Sequence, residues 1–185
     1  MSLGLVKKII KKNIRVKLFK RSLNVEESLL ITAMSAIFLF SSYQIFHTRY
    51  DIEIPYSNSY CIKAWRVGVI DKWDKTVKRN NVYVFRSKHM ILRPDGLLIA
   101  KYFKGLPFDK VEVNNDEAVL INDNVIGQGL YHSTKIPNMN FKRKEYLGFD
   151  EYCGMGSKGI YQSFDSRYWG KIDEKQIVGR FICLF

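Results

Sequence analysis

The chain has 185 residues, 46% of them apolar and 26% charged, and a formal net charge of +12. That length holds one domain, or one domain plus an appendage, and the composition excludes a wholly disordered, collagen-like or low-complexity chain. A basic excess of this size points to nucleic acid or to a membrane surface, and the position of the charge separates the two.

Residues 1–21 carry eight basic side chains (Lys7, Lys8, Lys11, Lys12, Arg15, Lys17, Lys20, Arg21) and no acidic one. The remainder holds 22 basic against 18 acidic residues, a net of only +4. The excess is a tail at 1–27, not a positive stripe on a folded domain, so nucleic acid is not the expected partner. Apolar residues at helical spacing (Leu3, Val6, Ile10, Ile14, Leu18) allow a basic amphipathic helix on an anionic leaflet; a disordered tail fits the same residues.

Residues 28–48 follow with no formal charge when His47 is neutral. As a helix they extend about 30 Å, the thickness of a bilayer core. The spacing predicts one transmembrane helix. A buried helix of a soluble domain is the alternative; a cleavable signal peptide lacks its small-residue cleavage site. Basic residues before the span and mixed charges after it (Arg49, Asp51, Glu53) predict a cytoplasmic N-terminus, with residues 49–185 on the outer side of an inner (plasma) membrane.

The outer segment reads as short strands: 67–70, 82–85, 90–92, 97–100, 110–113 and 118–121. Turn signals separate many of them, at Asn80-Asn81, Arg93-Pro94-Asp95-Gly96, Asn114-Asn115-Asp116 and Asp123-Asn124. Residues 121–126 form a hairpin candidate, and the polar, basic stretch 133–146 reads as a loop. The expected fold is mainly β, a small domain tethered by one N-terminal transmembrane helix.

Three histidines (His47, His89, His132) are scattered, with no His/Cys cluster at metal-ligand spacing, so neither metal nor cofactor is expected. No phosphate-binding or dinucleotide fingerprint occurs. Lys101 does look misplaced. It ends the apolar run Leu97-Leu98-Ile99-Ala100 and precedes Tyr102-Phe103. Such a lysine either snorkels at a sheet edge or is desolvated, and desolvation is how a lysine becomes a general base.

At this point the chain resembles a known family. Lys101-Tyr102-Phe103-Lys104-Gly105-Leu106-Pro107-Phe108-Asp109-Lys110-Val111 is similar to the lysine box of type I signal peptidases, roughly Lys-Arg-Val-Val-Gly-Leu-Pro-Gly-Asp-x-Val. Ser163-Phe164-Asp165-Ser166-Arg167-Tyr168-Trp169-Gly170, then Ile177-Val178-Gly179-Arg180, resembles the C-terminal box, Ser-x-Asp-Ser-Arg-x-x-Gly followed by Ile-x-Gly. Asn80-Asn81-Val82-Tyr83-Val84-Phe85 resembles the Gly-Asp-x-Val-x-Phe strand, with Asn80-Asn81 in place of Gly-Asp. Met155-Gly156 resembles the Met-Gly that opens the last box. Order and rough spacing agree from about residue 60 to residue 180. The short, single-span form resembles the conjugative-transfer branch, which matures pilin.

The nucleophile box departs from the family's Ser-x-Ser-Met-x-Pro-Thr. Here Ser59-Tyr60-Cys61-Ile62-Lys63-Ala64-Trp65 puts Cys61 where the attacking serine belongs. The resemblance then implies a Cys61–Lys101 dyad. Ser59 and the Cys61 backbone N–H would hold the oxyanion, Ser163 would aim the lysine, and an Asp165–Arg167 pair would brace the turn. It implies cleavage of leader peptides from exported preproteins or a conjugative prepilin, with membrane lipid and a conjugation or secretion apparatus as partners. The alternative is a non-catalytic component of that apparatus. With Cys61 reserved as nucleophile, Cys153 and Cys183 remain, either as a disulfide or as two buried thiols.

Overall fold

The computed structural model describes residues 24–54, 62, 67–132, 136, 140–157 and 163–184. The basic tail to residue 23, Ser59 and Cys61 lie outside them. The chain divides into two compact units, Met1–Phe46 and His47–Phe185.

The first unit contains most of helix α1 (Val25–Arg49), which encloses the expected span and is long and apolar enough to cross a membrane. At 1.5 Å per residue it extends about 37 Å, against a hydrocarbon core of about 30 Å. It has no polar face, and none of its residues is buried, the pattern of a helix whose solvent is lipid. Its hydroxyls do not spoil that. Thr32 Oγ1 donates to Ser28 O and Ser35 Oγ to Ile31 O, both at 2.8 Å, so these two hydroxyls are satisfied within the helix. Glu26 and Glu27 occupy the first turn, where the helix dipole favours negative charge.

The second unit is mainly β, in two antiparallel sheets. The strands are β1 (Tyr50–Glu53), β2 (Gly68–Asp71), β3 (Val82–Arg86), β4 (Leu98–Gly105), β5 (Lys110–Val113), β6 (Ala118–Ile121), β7 (Asn124–Gln128), β8 (Arg143–Tyr146), β9 (Glu151–Met155), β10 (Ile172–Asp173) and β11 (Ile177–Cys183). The larger sheet runs β1-β2-β11-β3-β4-β9-β10 and the smaller β7-β6-β5-β8. A single-turn helix, α2 (Ser166–Trp169), and a 3-10 turn (Glu174–Gln176) complete the described elements.

The period-2 alternation of β3 explains the layering. Val82 and Val84 enter one apolar cluster with Ile62, Ile70 and Phe181. Tyr83 and Phe85 enter another with Phe103, Tyr152 and Ile172. A third cluster packs the smaller sheet (Val111, Val113, Val119, Ile121) against Cys153, Met155, Phe164 and Tyr168. Both faces of the larger sheet are therefore covered at β3.

Turn chemistry fixes the connections. Asn122 and Asp123 have φ of 49° and 65°, and both take the left-handed conformation that a two-residue hairpin requires. At the β4–β5 corner the Asp109 N–H donates to Leu106 O at 3.0 Å, Pro107 takes the second place, and Phe108 sits at φ 68°. A bulky residue there carries strain of about 1–2 kcal/mol. The corner is held by Asp109, whose carboxylate accepts from Leu106 N at 2.7 Å, from Arg79 Nη1 at 2.7 Å and from Asn122 Nδ2 at 2.6 Å.

Two expectations are corrected. Residues 90–92 are not a strand: His89 and Leu92 have φ of 50° and 57°, and the segment belongs to the β3–β4 loop. Its polar groups are satisfied locally, the Ser87 hydroxyl donating to Pro94 O at 2.6 Å and His89 N–H to Asp95 Oδ1 at 2.6 Å, while Met90 plugs the second cluster. Conversely, Arg143–Tyr146, inside the expected loop, is strand β8. It pairs with β5 through Lys110↔Tyr146 and Val111↔Glu145.

Candidate active site

Lys101 lies in β4, opposite Tyr83 of β3, on the face that also carries Phe103. It is only 3% exposed. A buried amine needs a partner, and Lys101 Nζ donates to Ser163 Oγ at 2.9 Å. Ser163 is itself fully buried. The Trp169 ring centre lies 5.9 Å from Nζ and walls the site on one side.

Gly154 of the neighbouring strand β9 and Gly156 just after it make the approach possible. A Cβ at Gly154 would lie 3.2 Å from Lys101 Cβ and 2.7 Å from Ile172 Cδ1. A Cβ at Gly156 would overlap the Ser163 side chain outright. The Met155-Gly156 signal in the sequence therefore has a steric reason: only glycine lets the 163 turn close on β9.

The turn carrying Ser163 is braced from below. Asp165 caps α2, and its two oxygens accept from Arg167 Nε at 2.8 Å and Nη2 at 2.9 Å. Asp165 also accepts from Gly156 N at 3.0 Å, which ties the turn to β9. Arg167 spends its other donors on Ser163 O at 3.1 Å and Gly129 O at 2.9 Å. Burial alone would lower the guanidinium's proton affinity, but the bidentate Asp165 contact raises it further, so the pair is a fixed ion pair. At the other end of α2, Arg143 donates to Arg167 O at 3.2 Å and to Ser166 O. A cation at a helix C-terminus is the favourable sign. Arg143 lay in the expected loop, and no sequence signal singled it out.

The structure thus brings Lys101, Ser163, Asp165 and Arg167 together. Ser59 and Cys61 lie outside the described residues. Their neighbour Ile62 is described: it is buried in the cluster that Ala100 and Tyr102, the residues flanking Lys101, pack against.

The Cys153–Cys183 bridge is not formed; both thiols are free, Cys153 buried and Cys183 exposed. The topology forbids it. β9 and β11 are separated by β4 and β3, about 14 Å at 4.8 Å per strand, whereas bridged Cα atoms lie about 4.4–6.8 Å apart. Burial pushes the Cys153 thiol up to about 12, so it stays protonated and inert.

Comparison with curated proteins finds no match. Among solved structures, the crystal structure of a signal peptidase I from Enterococcus faecalis V583 is similar, at 22% identity over 58% of this chain and 97% of that one, with a TM-score of 0.38. The family model described as signal peptidase, peptidase S26, matches residues 23–185, nearly the whole chain. The chain therefore belongs to the signal peptidase S26 family.

Proposed function

We propose that the protein is a membrane-anchored endopeptidase that removes leader peptides from exported preproteins or a conjugative prepilin, with Cys61 as nucleophile and Lys101 as general base. The observation that carries the reading is the buried hydrogen bond from Lys101 Nζ to Ser163 Oγ, inside a turn locked by the Asp165–Arg167 pair. A desolvated lysine held by a hydroxyl is arranged for proton transfer. Helix α1 anchors the chain with the N-terminus cytoplasmic and the β domain outside, where a substrate's own leader emerges.

The steps balance as follows. The Cys61 thiol gives its proton to the Lys101 amine, and the sulfur attacks the scissile carbonyl. The oxyanion is held by the Cys61 N–H and the Ser59 hydroxyl. The Lys101 ammonium protonates the leaving nitrogen, the C–N bond breaks and a thioester remains. The neutral amine then takes a proton from water as the hydroxide oxygen adds to the thioester, and Cys61 leaves as the thiol. A thiol, with a reference pKa of about 8.5, gives up its proton far more readily than a serine hydroxyl, so the lysine is asked for less than in a serine enzyme.

The test is cleavage of a leader-bearing preprotein and a prepilin by the full chain in membranes. Lys101→Met and Cys61→Ala each abolish cleavage, and Cys61→Ser keeps part of it. Full activity in either loss variant defeats the mechanism. A Cys61 that no alkylating agent reaches at any pH favours instead a non-catalytic component of a secretion or conjugation apparatus.

A further inference from the structure

Five residues from buried Phe103, the same amino acid is used in the opposite way. Phe108 is 69% exposed and sits at φ 68°, where the lysine box that this segment resembles has glycine. Its ring meets another exposed ring, Phe149, 75% exposed, at 6.3 Å between centres and 60° between planes. Tyr146, 69% exposed, ends strand β8 just before the Phe108 N–H donates to Leu147 O. Glycine would make this turn without strain. The phenylalanine strains the backbone and covers no core, so folding alone does not account for it.

Beside these rings runs an open strand. β8 is the last strand of the smaller sheet, and among the described residues no strand pairs with its outer side, where Lys171 Nζ donates to Tyr146 O at 3.5 Å. Along it the exposed side chains alternate, Lys144 and then Tyr146, with exposed Lys142 before them. The edge is aromatic at one end and basic at the other, where Lys144 Nζ is already paired with Glu112 Oε2 at 3.4 Å and Lys142 carries the exposed charge. Three rings exposed to this degree present about 400 Å² of apolar surface. That is half of the roughly 800 Å² per partner that a stable dimer needs. The area suits a short segment, not a second folded surface.

We propose that the β8 edge and the Phe108–Phe149 pair form a peptide-docking site for an extended segment of a partner protein. The segment adds as a fifth strand along β8, places an aromatic or aliphatic side chain on the rings and sets an acidic one, two residues away, against Lys142. The site is distinct from the Lys101 turn and does not depend on the identity of the nucleophile.

The test uses the full chain in detergent micelles, carrying Lys101→Met so that no cleavage consumes the probe. The probe is a fluorescein-labelled peptide, Ser-Val-Asp-Val-Phe-Val-Thr-Ser, followed by anisotropy. Binding is saturable, and it weakens at least tenfold when the probe's Asp becomes Lys or its Phe becomes Ser. Phe108→Gly and Phe149→Ala weaken it to the same extent, while the thermal unfolding of both variants stays close to that of the parent. Absence of saturable binding, or equal binding by Phe108→Gly, overturns the proposal. So does concentration-dependent dimerisation that Phe108→Gly disperses, which assigns the patch to a second copy. Quenching of Phe108→Trp fluorescence by brominated lipid in vesicles also overturns it and assigns the patch to the bilayer.

Discussion

Two turns in this protein are built on opposite principles. The turn at residues 163–167 is buried and over-determined: Asp165 alone accepts from the Gly156 N–H, the Arg167 N–H and two guanidinium nitrogens. The turn at 106–109 is held as firmly at its acidic end, by Asp109, yet it displays its third residue to solvent in a strained conformation. In the first, every polar group is consumed to hold one hydroxyl against one amine. In the second, conformational energy is stored at a side chain that folding does not use. In the proposed reading the first turn fixes geometry for chemistry and the second exposes surface for recognition, and substitutions read the difference.

The sharpest break comes at the ion pair. Asp165→Ala leaves Arg167 buried without its carboxylate partner, and it releases the Gly156 and Arg167 N–H groups. Stranding a buried charge costs about 3–5 kcal/mol. We expect that loss in denaturant unfolding of the full chain in detergent. Phe103→Ala, with its ring fully buried against Tyr83, Phe85 and Tyr152, costs a similar ~3–5 kcal/mol by leaving a cavity. If Asp165→Ala unfolds no more easily than wild type, the brace is ornamental and Ser163 is held by something else.

Gly156→Ala tests the same turn with one methyl group. The new carbon occupies the Ser163 side-chain position, so either the 163 turn or β9 must retreat. Overpacking of this kind costs about 1–3 kcal/mol. Under the proposed function, leader cleavage falls more than stability, because a shift of about 1 Å between Lys101 and Ser163 is enough to cost roughly 100-fold in rate. A variant that loses stability but keeps its rate would detach Ser163 from the chemistry.

Much of this was legible in the sequence, and the failures have physical causes. The hairpin at 121–126 was readable because Asn122 and Asp123 are residues that tolerate positive φ. Lys101 was readable as a charge ending an apolar run, and the residues of its turn through family resemblance. Strand β8 was not readable. Arg143-Lys144-Glu145-Tyr146 has no apolar alternation, and it is a strand because β5 offers an edge and because Arg143 and Glu145 point to partners contributed by residues 166–171. Residues 90–92 failed in reverse: an apolar run looked like a strand, but Ser87 and Asp95 supply hydrogen bonds that favour a loop. The expected disulfide failed because cysteine counting carries no information about which strands are neighbours.

A smaller effect separates the two turns by pH. Burial raises the Asp109 carboxyl, but Arg79, the Leu106 N–H and Asn122 together outweigh it and hold the group below the ordinary carboxylate range. A lowered folded pKa means stability that is fully present above the unfolded value of about 3.9 and is lost as pH falls through the folded one. Thermal unfolding of the full chain between pH 5 and pH 2 should therefore show a decline to which Asp109 contributes. Asp109→Asn flattens part of that decline and costs about 1–2 kcal/mol at neutral pH, reduced because Arg79 is partly solvated. An unchanged acid limb in Asp109→Asn would mean that the corner does not depend on the charge.

The smallest effect is the most discriminating, because its sign runs against intuition. Removing a phenylalanine usually destabilises. At position 108 the left-handed backbone costs a non-glycine residue about 1–2 kcal/mol, and Phe108→Gly removes that cost. Glycine returns about 0.4–1 kcal/mol of that as extra freedom in the unfolded chain. The contact with Phe149 adds little back, since both rings are mostly in water. The balance is a gain of about 0.5 kcal/mol, one to a few degrees in melting temperature. A melting temperature that falls by many degrees would show that the ring holds the corner together. A small rise leaves a residue that the fold is better off without, and its exposed ring must then be explained by what the protein touches.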